Sequence, residues 1–197
     1  MDKKEVIEYF DLVSSKWDEE MIKSEEKIKK ILDVAQASEK KSILDVACGT
    51  GVLVPDYLDR RIKEYVGIDI SSEMIKIARG KFSHFDNVKF ICGDAEQLEF
   101  CENFDCAVVY NAFPHFVSPE SLFKSLHKAL KKGGRVTVAH GMSREALTLH
   151  HSGSASKISK ILPDTEEMEK LMSPFFKVDV KISTDDIYVV SAVKKEI

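Results

Sequence analysis

Several features that would point to particular classes of protein are scarce or missing in this sequence. The 197 residues include four cysteines but no Cys-x-x-Cys pair, the spacing typical of zinc and redox sites. Lysine and arginine number 29 against 33 acidic residues, a formal net charge of −4, so the basic excess of a nucleic-acid-binding protein is lacking. No long apolar segment follows the N-terminal residues, so we expect neither a signal peptide nor a membrane span, and a cytoplasmic protein.

The potential metal-binding side chains are also poorly patterned. The four cysteines are Cys48, Cys92, Cys101 and Cys106. Buried, reduced thiols are the simplest interpretation, and a metal or redox site is the weaker one. His115, His140 and the pair His150–His151 would lie near one edge of a sheet, but the His-x-x-x-His or Glu-containing spacing of zinc ligands is absent. We therefore expect no metal site.

The most informative segment of the sequence is Ile43–Gly51, an apolar run that crosses an acid and ends in two glycines separated by one residue. Such a run is typical of a buried parallel strand. The glycines permit a sharp turn and the close approach of a ligand to the main chain. We predict a helix over Val52–Leu58, with Pro55 tolerated in its first turn. The turn would then lie at the carboxyl end of a strand, where open α/β sheets bind ligands.

The surrounding pattern indicates which ligand binds there. A dinucleotide fingerprint needs a third glycine where this chain has Val54, and the Gly-Lys-Ser/Thr run of a P-loop is missing. A diphosphate is therefore disfavoured. The second predicted strand, Tyr65–Ile70, carries Asp69, which is placed to accept both hydroxyls of a ribose. The third, Val88–Cys92, precedes Asp94, where a carboxylate is able to accept a hydrogen bond from an adenine amino group.

Three segments together carry a family resemblance. Asp45–Gly51, Gly67–Ser71 and Gly93–Ala95 resemble the corresponding motifs of class I S-adenosylmethionine-dependent methyltransferases. The first segment is close to the small-molecule and quinone-type branch, and the resemblance covers roughly positions 40 to 140. It implies an α/β fold with a Rossmann-like, doubly wound sheet of seven strands and helices on both faces. This sheet would be mostly parallel, with an antiparallel C-terminal hairpin strand.

The resemblance also implies S-adenosylmethionine as cofactor and a role for each motif residue. Asp45 would orient the amino group of the cofactor, Gly49 and Gly51 would pass beside its methionine part, and Asp69 would hold its ribose. The full set of cofactor-binding residues implied is Asp45, Ala47, Gly49, Gly51, Asp69, Ile70, Met74, Asp94, Ala95 and Asn111. Without the cofactor, the same glycines would serve only as turns in an α/β domain.

Residues after the fourth predicted strand, Phe104–Tyr110, would lie beside the transferred methyl group. Asn111–Pro114 resembles the Asn/Asp-Pro-Pro-aromatic segment of enzymes that methylate exocyclic amines, but lacks its first proline. This departure disfavours nucleic-acid bases. His115 is the candidate general base, because imidazole titrates near neutrality; a histidine hydrogen-bonded within a loop is the alternative. Candidates for the acceptor pocket are Trp17, Phe113, Phe116, His140 and Arg144, although packing or a solvated side chain would explain them as well.

We expect residues 1–197 to form one methyltransferase domain with four parts. An N-terminal helical cap, 1–38, begins with an amphipathic helix over residues 3 to 21, and a cofactor-binding core follows over 39–140. In that core we predict that Lys131–Gly134 ends a helix and that strand five runs from Arg135 to Ala139. A long connection or lid covers 141–163, and a helix with the C-terminal hairpin covers 164–197.

The favoured function is methyl transfer from S-adenosylmethionine to a small-molecule acceptor. The alternatives are a non-catalytic protein that binds S-adenosylmethionine, and an RNA or protein methyltransferase. We expect no nucleic acid as partner, and leave open whether the protein forms a homodimer.

Overall fold

The structure, a computed structural model, describes residues 1–150 and 157–196. The strands are β1 (Ser42–Val46), β2 (Glu64–Asp69), β3 (Val88–Cys92), β4 (Phe104–Tyr110), β5 (Leu130–His140), β6 (Phe176–Ser183) and β7 (Tyr188–Lys194). The α-helices are α1 (Lys3–Val13), α2 (Trp17–Glu20), α3 (Glu25–Val34), α4 (Val54–Asp59), α5 (Ser72–Phe82), α6 (Pro119–Ala129), α7 (Arg144–His150) and α8 (Thr165–Met172). No helix within the described ranges is both long and apolar enough to cross a membrane.

The strands form one sheet in the order β3-β2-β1-β4-β5-β7-β6. The first five are mutually parallel, whereas β7 runs antiparallel to both β5 and β6. These observations confirm the doubly wound fold and the antiparallel hairpin. The strand order reverses between β1 and β4, and open α/β sheets place their ligand crevice at the carboxyl ends of the strands at such a point.

The central strands are buried because helices cover both faces of the sheet. On one face, Leu44 and Val46 of β1 pack in a cluster with residues of α6 and α8. On the other, Ile43 packs in a cluster with residues of α3, α4 and α5. Successive side chains of a strand point to opposite faces, so every residue of β1 is buried. Such burial explains why the strand is almost continuously apolar.

The predicted N-terminal helix is not continuous. α1 ends at Val13, a 3₁₀ turn covers Ser14–Lys16, and α2 starts at Trp17. The Ser14 hydroxyl donates a hydrogen bond to the carbonyl oxygen of Asp11 at 2.9 Å, and such local bonds compete with the regular helix ladder. The break matters because it lets Trp17 turn towards the sheet.

A second correction concerns Lys131–Gly134, which we predicted as a helix end. α6 already ends at Ala129, and β5 begins at Leu130, which pairs with Phe104. The pairing shifts register between Phe104 and Cys106, and Gly133 adopts a φ of 69° within this irregular strand entry. Pairing with β4 therefore places Lys131–Gly134 in a strand, although the local sequence is typical of a helix end.

Two of the four cysteines also differ from their predicted burial. Cys48 and Cys106 are buried, whereas Cys92 and Cys101 are exposed, and all four are free thiols. Cys92 ends β3, which is the edge strand of the sheet, so it has a neighbouring strand on one side only. Of the predicted long connection, residues 144–150 form α7, and residues 151–156, including His151, lie outside the described residues.

Candidate active site

A cleft of about 950 Å³, part of which is open to solvent, lies where β1, β2 and β4 end. All the predicted cofactor-binding residues except Gly51 line it: Asp45, Ala47, Gly49, Asp69, Ile70, Met74, Asp94, Ala95 and Asn111. Trp17, His115 and Phe116 line it as well. The parallel strands thus bring together residues from three separate motifs.

Asp69 connects the turn after β1 with the start of α5. One carboxylate oxygen, Oδ2, accepts the backbone N–H of Gly49 at 2.8 Å, and Oδ1 accepts that of Ser71 at 2.9 Å. Burial raises the pKa of Asp69, and these two backbone donors oppose the rise. The carboxylate therefore supports the shape of the glycine turn in addition to facing the cleft.

Asp45 is the more deeply buried acid, with only 2% of its surface exposed. Its Oδ2 accepts a hydrogen bond from the Tyr65 hydroxyl at 2.9 Å. Burial raises the pKa of Asp45 to about 7, the hydrogen bond from Tyr65 opposes the rise, and the charge of Asp69 adds to it. A buried carboxylate is stabilised by a positively charged partner. The site therefore fits a ligand with an ammonium and a sulfonium group.

Ala47, between Asp45 and the glycines, has a φ of 56°, a left-handed conformation that costs an L-residue about 1–2 kcal/mol. Replacement of Ala47 by glycine relieves this strain but also increases the entropy of the unfolded chain. We expect Ala47→Gly to raise the free energy of unfolding by about 0.5–1 kcal/mol, measured by urea denaturation. Ala146→Gly, in the exposed right-handed helix α7, should instead lower it by about 1 kcal/mol. A destabilised Ala47→Gly protein would contradict the assignment of strain.

The N-terminal cap is tied to the rim of the cleft through Lys3. The Lys3 ammonium lies 2.6 Å from Oδ2 of Asp94 and also contacts Glu96. Asp94 uses Oδ1 to accept the N–H of Glu96 at 2.9 Å. Sequence reasoning missed Lys3 and Glu96, because Lys3 is separated from Asp94 by 91 positions and no local pattern reports such a contact.

The remainder of the cap rests on the glycine turn and on α5. Asp11 accepts hydrogen bonds from the Ser71 hydroxyl at 2.6 Å and the Glu73 N–H at 3.2 Å. Asp18 accepts from the Thr50 hydroxyl. Trp17 Nε1 lies 3.6 Å from the place where a Cβ on residue 49 would stand. In this structure the N-terminal segment therefore covers one side of the cleft.

The end of β4 presents three polar groups to the cleft: Tyr110, Asn111 and His115. Asn111 has a φ of 53°, and its Oδ1 accepts the N–H of Gly141 at 2.9 Å. This bond joins the ends of β4 and β5, so Asn111 has a structural contact as well as a place in the wall.

His115 is held by a neighbouring backbone carbonyl. Its Nδ1 lies 2.9 Å from the carbonyl oxygen of Ile158, an arrangement that assigns the ring proton to Nδ1. The ring also packs edge-on against Phe10, with centroids 5.0 Å apart. Burial lowers the pKa of His115, and the hydrogen bond to Ile158 opposes that change. The imidazole is therefore neutral at physiological pH, the form that is able to accept a proton.

Four predicted site residues do not line the cleft. Gly51 lies where an added Cβ would stand 3.0 Å from the ring of Phe82. Phe113 is buried in the core and stacks on Phe123, with centroids 5.7 Å apart. His140 is buried beside the ring of Tyr188, and Arg144 Nε donates to the carbonyl oxygen of Leu162 at 2.7 Å. These four lie close to strand ends, but the side chains of Phe113, His140 and Arg144 contact the core or the C-terminal segment instead.

Other residues of the wall were not predicted as site residues. They are Lys3, Val6, Phe10, Met21, Val52, Leu53, Ile68, Gly93, Glu96, Tyr110, Ala112 and Val117, alongside Cys48. Most are apolar, and ordinary helix periodicity predicts them only as core. In the part of the chain that the structure describes, no three or more His, Cys, Asp or Glu side chains are grouped to hold a metal ion.

Comparisons with known proteins agree with this geometry. Residues 43–134 match the family model described as a methyltransferase domain. A malonyl-[acyl-carrier protein] O-methyltransferase of Priestia megaterium is 33% identical over 120 residues, which cover 59% of this chain and 42% of that protein. The ubiquinone/menaquinone biosynthesis C-methyltransferase UbiE of Citrobacter koseri is 31% identical over 114 residues, covering 54% and 45%. The chain thus spans about half the length of the curated relatives it matches.

Solved structures show the same fold. One is a complex between the Haloferax volcanii Trm112 methyltransferase activator and a putative methyltransferase, with a TM-score of 0.75 and 18% identity. The match covers 95% of this chain and 98% of that one. The family model, the motif resemblance and the strand order agree with one another. Residues 43–134 thus match a methyltransferase domain, and the chain has the fold of these solved structures.

Proposed function

We propose that this protein transfers a methyl group from S-adenosylmethionine to a small-molecule acceptor. The observation that carries the proposal is the placement of Asp45 and Asp69, two buried acids at neighbouring strand ends, in the wall of a single cleft whose remaining surface is largely apolar. When bound, S-adenosylmethionine supplies a methyl group activated by the positive charge of its sulfonium. The protein then has to bind and orient the cofactor and the acceptor and to exclude water. It does not have to form a covalent intermediate.

The proposed cofactor contacts follow the cleft wall. Asp45 would pair with the ammonium group, Asp69 would accept hydrogen bonds from the ribose hydroxyls, and Asp94 with Ala95 would contact the adenine edge. Ile70 and Met74 supply apolar contacts on either side of the base. The Lys3 ammonium already contacts Asp94. For Asp94 to accept a hydrogen bond from adenine, the carboxylate must either contact both groups at once or lose its contact with Lys3.

The acceptor side of the cleft favours an apolar, aromatic hydroxyl compound over a carboxylate. Phe10, Trp17 and Phe116 supply aromatic walls. The lysine that the structure places in the wall, Lys3, is engaged by Asp94 and Glu96. Arg144, a candidate for the acceptor pocket whose guanidinium would pair with a carboxylate, lies outside the wall. Among the described residues the site thus resembles one for a quinol or phenol more than one for a malonyl group.

His115 would act as the general base for such an acceptor. A phenol or quinol becomes a stronger nucleophile as it loses its proton, and a neutral imidazole beside the acceptor is able to take that proton. The Ile158 carbonyl holds the ring with its proton on Nδ1, which leaves Nε2 as the basic nitrogen.

Two measurements test the proposal. Calorimetry should show S-adenosylmethionine binding in the micromolar range, and incubation with methyl-labelled cofactor and a panel of phenols, quinols and thiols should yield labelled product. Binding without transfer to any acceptor would favour a non-catalytic S-adenosylmethionine-binding protein instead. Transfer to RNA or to a protein would support the other alternative, and absence of binding would overturn the proposal.

We also propose a homodimer as the assembled state. Leu12 in α1 and Ile22 just after α2 are 80% and 94% exposed, and a subunit contact over them would remove apolar surface from water. Sedimentation equilibrium of the wild type and of a Leu12→Ser/Ile22→Ser double variant tests this assignment. A wild-type protein that stays monomeric at micromolar concentration would contradict it.

A further inference from the structure

A tyrosine of β2 reaches the acid at the end of β1. Tyr65 and Gly67 are two residues apart in β2 and therefore lie on the same face of the sheet. Gly67 is directly opposite Asp45 in the pairing of β1 with β2. The Tyr65 hydroxyl extends over Gly67 and donates to Oδ2 of Asp45 at 2.9 Å. Tyr65 is completely buried, so this contact is made away from solvent.

Gly67 has a specific reason to lack a side chain. A Cβ at this position would stand 2.8 Å from the Tyr65 hydroxyl oxygen, 2.8 Å from Sγ of Cys48 and 2.9 Å from a ring carbon of Phe90. Separations this short require a neighbour to move, and the Tyr65 ring is fixed between Tyr57 and Phe90, with centroids at 5.5 Å and 5.6 Å. The backbone of β2 is therefore shaped to admit the Tyr65 hydroxyl.

The groups around Asp45 explain what the hydroxyl does there. The titratable groups that interact with Asp45 are Tyr65 and Asp69 of β2, Cys48 of the turn after β1, and Tyr57 of α4. All are neutral or negatively charged, so none compensates a buried negative charge as a cation would. The hydroxyl of Tyr65 is the side-chain donor that the structure provides to this carboxylate.

We propose that Tyr65 is a positioning residue of the cofactor site, which holds the Asp45 carboxylate oriented towards the cleft and in its charged form, and that Gly67 makes the space for it. The proposal rests on the proposed function for the identity of the ligand. A hydrogen bond to a charged group in a buried site corresponds to a change of about tenfold or more in affinity when it is removed.

The test compares Tyr65→Phe with Tyr57→Phe, using S-adenosylhomocysteine as the probe. The Tyr57 hydroxyl is buried in the same cluster but has no hydrogen-bond partner among the described residues, so it is a matched control. We expect Tyr65→Phe to weaken binding about tenfold or more at pH 7, with a smaller ratio at pH 9, where Asp45 is ionised in both proteins. Ratios taken at one pH cancel the ionisation of the ligand itself. Equal affinities for wild type and Tyr65→Phe at both pH values would overturn the proposal.

A second measurement needs no ligand. Because burial raises the pKa of Asp45 above its unfolded value, folding stability that is present at low pH is lost as pH rises through the folded pKa. In Tyr65→Phe this loss should extend to higher pH, as followed by urea unfolding between pH 5 and 9. In Asp45→Asn it should shrink to the part that Asp69 contributes, because burial raises the pKa of Asp69 as well. If the wild type fails to bind the probe, the proposed function fails, but this unfolding series still decides the role of Tyr65. Identical pH profiles for the wild type and Tyr65→Phe would refute that role.

Discussion

Replacement of Asp69 by asparagine is expected to weaken the binding of S-adenosylmethionine by about 100-fold or more. Asparagine has nearly the same shape, but it has no charge and only one acceptor oxygen. Two charge-assisted hydrogen bonds to ribose hydroxyls are together worth about 3 kcal/mol or more, which corresponds to a factor of at least about 100 in the dissociation constant. Titration calorimetry of the purified variant measures this change directly.

The asparagine is preferred to alanine because of the contacts that Asp69 makes within the protein. Both of its oxygens accept backbone N–H groups, from Gly49 and Ser71. Asparagine keeps an acceptor for one of these donors, whereas alanine would leave both without an acceptor, at a cost of about 1–3 kcal/mol each, and would distort the turn further. Asp86→Asn, at an exposed position, is the matched control and should bind like the wild type. An affinity of Asp69→Asn within threefold of the wild type would exclude Asp69 as the ribose ligand.

The second large effect is expected for His115→Asn. The asparagine amide is able to keep the donor to the Ile158 carbonyl that Nδ1 provides, but it has no basic nitrogen in place of Nε2. Since general base catalysis contributes about 10²–10⁴-fold, we expect kcat to fall by that factor with any phenol or quinol that the wild type methylates. The dissociation constant for S-adenosylmethionine should change less than threefold.

The pH dependence of His115 gives an independent check. Burial lowers its pKa, so kcat should decline only at a pH below the range in which an unperturbed imidazole titrates. His84→Asn, at an exposed histidine, should leave both kcat and its pH profile unchanged. An unaltered kcat in His115→Asn would show instead that His115 serves only to hold the loop to Ile158.

Strand and helix positions were predictable wherever a local pattern had a local cause. The apolar runs of β1 and β4 reflect burial on both faces, and Ser71 and Ser118 each cap the helix that follows them through their own hydroxyl groups. Asp45 and Asp69 reach the cleft because both stand at the carboxyl ends of parallel strands, which share one edge of the sheet.

Chain position alone does not set the direction of a side chain. Phe113 and Arg144 follow strands and His140 ends one, yet the contacts of each in the structure are with the core or with a backbone carbonyl oxygen. In a loop, or at the last position of a strand, the regular repeat of side-chain directions found along a helix or strand no longer applies. The neighbours of the residue in space decide, and these come from distant parts of the chain.

The sequence by itself therefore determined the class of fold. It also determined which strands end in an acidic residue, because burial, capping and strand direction act over a few residues. Only the tertiary structure decided that Lys3 contacts Asp94 and Glu96, that Tyr65 contacts Asp45, and that Gly51 faces away from the cleft. The physical reason is that buried charges and hydroxyls take their partners from whatever element packs beside them. That choice depends on how separate elements meet, and no short stretch of sequence contains it.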